Sequence, residues 1–204
     1  MKIVKIESLI DAGEFSRGED WKTLKRDILK AIQAVQWPPK SGSFTLYDQP
    51  GKGRGKGNGV KPIKEACMAY LESMGWGLET RVDIATVKRP GPIDATIQIK
   101  DRLFAVEWET GNISSSHRAV NKMALGLIKK SLIGGILILP TREMYQYLTD
   151  RVGNYEELEP YFPVWRTLAL SIEEGLLGII AIEHDGISKD IPRIPKGTDG
   201  RALI

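Results

Sequence analysis

Three carboxylates lie close together in a stretch that reads as two short strands: Asp94 in the segment 93–99, and Glu107 and Glu109 in the segment 103–109. Residues two apart on a strand share a face, so Glu107 and Glu109 point one way while Val106 and Trp108 point the other. Between the segments, Lys100-Asp101 is polar and reads as the tip of a hairpin. With a two-residue turn there, antiparallel partners sum to 201, which sets Asp94 opposite Glu107. Directly opposed side chains have Cβ atoms about 5 Å apart, so two like charges repel unless something positive lies between them. A divalent cation is the natural candidate. Mg²⁺ takes one or two carboxylates, a backbone carbonyl and waters, and an Asp on one strand with a Glu on its neighbour supplies such a set. Glu79 is a further acid within reach of this argument. A register shifted by two would set Asp94 opposite Glu109 and keep all three acids on one face, whereas a slip of one would not. The plain alternative is a solvated sheet face beside an edge, and spacing alone does not decide between the two.

The surrounding pattern predicts what positions these acids. Trp21, Leu24, Ile28, Leu29, Ile32 and Val35 recur at helical spacing over 21–36, and Trp37-Pro38-Pro39 ends the run because proline cannot continue a helix. A second helix is predicted over 63–74, ended by Gly75-Trp76-Gly77, with a strand over 78–84 after it. Pro90-Gly91-Pro92 forces a turn or an extended entry into the first acid-bearing strand. Val120, Met123, Ala124, Leu127 and Ile128 predict a helix over 116–130, with Ser114, Ser115 and Ser116 all available as N-caps. The nearly continuous apolar run 133–139, closed by Pro140, predicts a strand buried on both faces. A short helix over 141–148 and a late strand over 176–183 complete the reading. Helices and strands mixed in this order, with a hairpin feeding a buried strand, predict an α/β domain of three layers: a mixed β-sheet flanked by helices. Without an internal repeat or long linker, residues 1–204 read as one domain.

Composition narrows the class without naming it. With 42% hydrophobic and 27% charged residues the chain can build an ordinary core, which excludes disordered and collagen-like classes. A net charge of +3 is compatible with a polyanionic partner and too mild to require one. One cysteine, Cys67, excludes an internal disulfide, and with only His117 and His184 beside it no four-ligand zinc site of the usual kind can form. No apolar run approaches the ~18 residues of a membrane span, and the first residues lack the apolar stretch of a secretory signal. The expectation is a cytoplasmic, soluble protein with no membrane partner. Glycines alternate with Lys52, Arg54, Lys56 and Asn58 over 51–59, which reads as a mobile basic loop that either touches a DNA backbone or is simply solvated. It is not a phosphate-cradling P-loop, since both Gly-Lys pairs are followed by glycine instead of Ser or Thr.

Gly91-Pro92-Ile93-Asp94 followed by Glu107-Trp108-Glu109 resembles the PD-(D/E)xK nuclease signature, with Glu109 where the usual lysine stands. That replacement, and the run 109–115 with His117-Arg118, resemble the BamHI type of restriction endonuclease within that superfamily. The likeness extends through Asn58-Gly59-Val60, Pro62 to Glu65, 147–152, 156–162, 194–197 and Asp199-Gly200, and is weak over the first 35 residues. The resemblance implies a magnesium-dependent enzyme that hydrolyses double-stranded DNA at a palindrome. Asp94, Glu107 and Glu79 would bind metal, with the backbone carbonyl of Trp108, and two Mg²⁺ per site are implied. Glu109 would orient or deprotonate the attacking water.

The same resemblance assigns base contacts to Asn112, Ser114, Arg118, Asp150, Arg151 and Asp199. Arginine suits guanine O6 and N7, aspartate accepts from cytosine N4, and asparagine serves adenine. It implies the site 5′-GGATCC, cut after the first G, with 5′-phosphate ends on four-base overhangs. Lys64, Gly197, Gly200 and Arg201 would meet the DNA backbone or minor groove. Arg201 departs from the methionine of that type, the chain ends at Ile204 without its C-terminal helix, and the glycine loop is longer. Taken singly, the readers have bland alternatives: Ser114 as a helix cap, Asp150-Arg151 as a surface ion pair, Asp199 as a turn residue. A palindromic target implies a homodimer, built in this family from the helix after Arg118 and the segment 154–162, and a host methyltransferase that is not a stable partner. His117 reads as structural. Two other functions share the metal core: a repair or recombination nuclease that reads DNA shape, and a non-catalytic DNA-binding regulator.

Overall fold

The computed structural model describes residues 1–52, 56–84, 91–149 and 151–196. The elements run β1 (Lys2–Ala12), α1 (Glu19–Gln33), β2 (Thr45–Tyr47), α2 (Lys61–Ser73), β3 (Gly77–Thr80), β4 (Ile93–Ile99) and β5 (Arg102–Trp108). After these come α3 (Ile113–Ile128), β6 (Leu132–Pro140), α4 (Arg142–Tyr145), α5 (Tyr155–Leu158), α6 (Phe162–Arg166), β7 (Gly175–Glu183) and β8 (Gly186–Ser188). Six strands form one sheet in the order β1-β7-β6-β5-β4-β3, and β2 pairs with β8 in a small second sheet. The β5-β6 and β6-β7 pairs are parallel and the rest of the large sheet is antiparallel, so the sheet is mixed as expected.

Both sheet faces are covered. Alternation along β6 sends Ile136 and Ile138 toward α1 and α2, and Leu137 and Leu139 toward α3, α5 and α6. All nine residues of β6 are buried, which is why it reads as an unbroken apolar run. On the first face Phe104 of β5 is fully buried among Trp21, Phe15 and Trp76, with ring centroids 5.6, 6.0 and 6.2 Å away. Removing such a ring costs about 3–5 kcal/mol, so this cluster fixes the depth and pitch of β5.

Several boundaries differ from expectation. The helix predicted from Trp21 starts at Glu19, because Gly18 is extended at the N-cap and Glu19 and Asp20 complement the dipole of the first turn. The helix predicted from 116 starts at Ile113. Its cap is Asn112, whose Oδ1 accepts from the N–H groups of Ser114 at 3.0 Å and Ser115 at 3.3 Å, so none of the three serines serves. The strand predicted over 78–84 stops at Thr80, and Glu79 has φ 49°, a left-handed value that interrupts extended geometry. β1 was outside the expected elements altogether. It is an edge strand with two register shifts against β7, and these shifts erase the period-two signal.

Of the glycine segment, residues 53–55, Arg54 among them, lie outside the described residues. Its described ends are pinned: the Gly51 N–H donates to Gln146 O at 2.7 Å, Asn58 to Tyr147 O at 2.7 Å, and Gly59 to Ile194 O at 3.0 Å. A Cβ on Gly59 would lie 2.0 Å from the Pro195 carbonyl oxygen, so glycine there serves close backbone approach. Asn58 is fully buried, and its amide accepts from Tyr47 and Ile194 N–H while donating to the Tyr47 and Tyr147 carbonyls.

Candidate active site

The hairpin arithmetic holds. Ala95 faces Val106 and Ile99 faces Arg102, so partners sum to 201, and the next pair outward is Asp94 with Glu107. Lys100 makes the turn with φ 54°. At this end of the sheet the two acids interlock: Asp94 Oδ2 accepts the Trp108 backbone N–H at 2.8 Å. Both are largely buried, with side chains 11% and 12% exposed. The positive charges facing them are ammonium groups. Lys64 of α2 pairs with Asp94 and lies 3.4 Å from Glu79, and Lys122 of α3 pairs with Glu107. Burial pushes the Glu107 carboxyl up, as does the neighbouring Asp94 charge, while Lys122 and the Asp94 N–H pull the other way. Lys64 is held above its usual value: burial acts to lower it, and the charges of Asp94 and Glu79 outweigh burial.

Glu109 follows the strand end. Its N–H continues the parallel ladder to Ile138 O at 2.8 Å, and its Oε1 accepts from Gly111 N–H at 2.6 Å. Oε2 accepts from the Ser116 hydroxyl one turn into α3. Burial pushes this carboxyl up to about 7, against the lowering effect of the Ser116 and Gly111 hydrogen bonds and with a further push from Glu107 and Asp94. Ser116 has room there because Gly153 lies over it; a Cβ on Gly153 would sit 2.3 Å from the Ser116 Oγ.

Glu79 stands apart from the buried pair, 60% exposed at the sheet edge and linked to Asp94 only through Lys64. Among the described residues no group of three His, Cys, Asp or Glu side chains closes into a metal cage. The donor set still fits a small oxygen-seeking dication. Two buried carboxylates meet beside the Trp108 peptide, and their joint negative potential holds two ammonium groups in contact. A cleft of about 420 Å³ opens on the Asp94 side of the pair, lined by Lys64, Glu79, Asp94, Thr110, Thr149 and Lys196.

Of the expected base readers, Asn112, Ser114 and Arg118 are exposed on the first turns of α3. Arg151 is exposed beside them, since the Gly153 N–H donates to Gly111 O at 2.8 Å and ties the two segments together. Asp150, Gly197, Asp199, Gly200 and Arg201 lie outside the described residues. His117 packs edge-on against Tyr161 with centroids 4.4 Å apart, away from the acids, and burial lowers its pKa. The sequence offers Ser116 only as a possible helix cap, and it does not single out Lys122 or Thr149. Ser116, Ala119 and Lys122 follow one another at intervals of three along α3, a ridge that meets β5, and that spacing was the available signal. The Thr149 hydroxyl is buried with no partner among the described residues, and only the fold reveals that it lines the cleft.

A mixed sheet between helical layers, with acids at the end of a hairpin, defines an α/β nuclease fold of the restriction-endonuclease class. The crystal structure of restriction endonuclease BglII complexed with a DNA 16-mer superposes with a TM-score of 0.58 at 14% identity, covering 95% of this chain and 88% of that one. Free BglII gives 0.50 at 13% identity, with 91% and 81% covered.

The chain belongs to the BamHI family of restriction endonucleases: the family described as "Restriction endonuclease BamHI" matches residues 1–201. Type II restriction enzyme OkrAI of Oceanobacter kriegii is 51% identical over 203 residues, covering 100% of both chains. Type II restriction enzyme BamHI of Bacillus amyloliquefaciens is 38% identical over 182 residues, covering 85% of this chain and 80% of the relative. The protein is thus a type II restriction endonuclease, a site-specific deoxyribonuclease of a family that is in general metal-dependent. Among the described residues no helix is long and apolar enough to cross a membrane.

Proposed function

We propose that the protein cuts double-stranded DNA at the palindrome 5′-GGATCC, after the first G, leaving 5′-phosphate overhangs and 3′-hydroxyl ends. The observation that carries the hydrolytic part of this reading is the buried Asp94–Glu107 pair with Glu109 fixed beside it, and the palindrome is inferred from the reader residues that resemble the BamHI type. Asp94, Glu107 and the Trp108 carbonyl would hold Mg²⁺, with Glu79 completing a second position from the edge strand. When bound there, the cation offsets the negative charge that gathers on the phosphate and makes water a better nucleophile. As the water oxygen bonds to phosphorus, Glu109 receives its proton, and the P–O3′ bond breaks so that the 3′-oxygen leaves and takes a proton from solvent to become the 3′-hydroxyl. A carboxylate suits this role because, unlike a lysine ammonium, it accepts a proton without first losing one. The Gly111 N–H and Ser116 hydroxyl keep that carboxylate from rotating away.

Asn112, Ser114 and Arg118 are assigned as base readers, a role that their exposure at the start of α3 supports, and Arg151 from the adjoining segment, Asp150 and Asp199 are assigned with them. Lys64, Gly197, Gly200 and Arg201 are assigned to the backbone or minor groove. A two-fold target calls for a homodimer, and exposed apolar side chains on the α3–α6 layer support one: Tyr161 at 49%, Val164 at 62% and Leu170 at 94%. A host methyltransferase would protect the same sequence without binding this protein stably. Plasmid digestion with and without Mg²⁺, followed by end sequencing, tests the reading. One discrete site cut only with the cation is expected. A smear would indicate a nuclease reading shape, and specific binding without cutting would indicate a regulator.

A further inference from the structure

Two lysines reach the same end of the sheet from opposite layers. Lys64 comes from α2 on the first face to Asp94, and Lys122 comes from α3 on the second face to Glu107. Each lysine side chain is only 20% exposed, and Lys122 also donates to the Pro92 carbonyl at 3.3 Å, in the turn that leads into Asp94. Buried carboxylates must be compensated, and these two receive one ammonium each. A lysine ammonium is a compact charge on a flexible four-carbon stem, so it can leave without moving its helix. A dication on the same oxygens would stand within a few ångströms of both ammonium groups, and like charges that close in a poorly solvated site repel strongly.

We propose that Lys64 and Lys122 are internal counter-ions that compete with the divalent cation for Asp94 and Glu107, so that metal loading is an exchange of ammonium for metal. This rests on the metal-binding reading of the pair given above. The exchange weakens the intrinsic affinity of the site for the cation. It also frees the Lys64 ammonium in the cleft and the Lys122 ammonium on the other face of the sheet when the cation enters, and a DNA phosphate is a group that the first can then meet. Lys122 is therefore a positioning residue whose effect on metal binding has a sign. A prop that merely shaped the site would strengthen cation binding, whereas a competitor weakens it.

Titration of the full-length protein with Mn²⁺ alone, followed by the electron paramagnetic resonance of the free ion, reads that sign without DNA or turnover. Lys122→Met keeps the stem and removes the charge, and should bind Mn²⁺ about ten-fold more tightly than the unmutated protein. Lys64→Met should shift affinity in the same direction and serves as the test if Lys122→Met does not fold. Asp94→Asn should lose the site. Equal or weaker Mn²⁺ binding by a folded Lys→Met variant, with binding by the unmutated protein intact, overturns the exchange alone. No Mn²⁺ binding by the unmutated protein and by either variant overturns both the exchange and the metal reading beneath it.

Discussion

Glu109 has each carboxylate oxygen committed, Oε1 to the Gly111 N–H and Oε2 to the Ser116 hydroxyl, so its orientation depends on two neighbours outside the acid pair. Groups that orient a catalytic or metal-binding side chain typically carry 10- to 100-fold of activity. Ser116→Ala should therefore lower kcat by about 10- to 100-fold while leaving cognate DNA affinity near that of the unmutated protein, because Ser116 is buried below the reading surface. Single-turnover cleavage beside gel-shift titration measures the split, and a matching loss of affinity would make Ser116 a part of the DNA interface instead. Asp185, far along the chain, sets a different dependence. Burial would raise its carboxyl, but the Phe44 N–H at 2.6 Å and the N-terminal ammonium at 3.0 Å hold it below the ordinary value. A carboxyl depressed in the folded state adds stability that is fully present above its unfolded value of about 3.9 and is lost as pH falls through the lower folded value. Asp185→Asn should lower the denaturation midpoint at neutral pH, and the difference should fade as the solution is acidified below about pH 3. A difference independent of pH would mean that shape, and not charge, is what Asp185 contributes.

At the scale of elements, α3 joins the two halves of the proposed function. Its first turns present Asn112, Ser114 and Arg118 outward, while the ridge through Ser116 and Lys122 holds Glu109 and Glu107 inward. A small shift of this helix on binding would therefore move both carboxylates together. Much of this arrangement was legible in the sequence: the polar Lys100-Asp101 pair fixed the hairpin register, and the apolar run ending at Pro140 marked the central strand. The readable features are those in which one local rule decides, a turn length or unbroken apolarity. What stayed hidden depends on competing rules or on distant partners. β1 lost its alternation to bulges that only its pairing with β7 reveals. The Asn112 cap outcompeted three serines because it alone is placed to accept from two N–H groups of the first turn. Lys64 and Lys122 could not be read as partners of the acids, since the contacts span 30 residues for Lys64 with Asp94 and join helices on opposite faces.

The whole molecule is asymmetric in what it leaves uncovered. The cleft with its acids opens at one end of the sheet, and the layer of α3, α5 and α6 exposes Tyr161 and Val164 next to a core in which Trp165 and Phe162 are buried. If that layer joins two subunits, Tyr161→Asp should shift sedimentation from two chains of 22.7 kDa toward one, and convert double-strand cutting into slow, unlinked nicks. Persistence of the dimer would place the interface elsewhere. The central claim concerns the acids themselves, that Asp94 serves the chemistry and not the reading of sequence. Asp94→Asn keeps the shape of the side chain and removes its charge, and one measurement of binding and cleavage on the same cognate duplex with Mg²⁺ decides the matter. The account predicts specific binding within a few-fold of the unmutated protein and cleavage reduced by at least about 1000-fold. Cleavage retained at a comparable rate would contradict it.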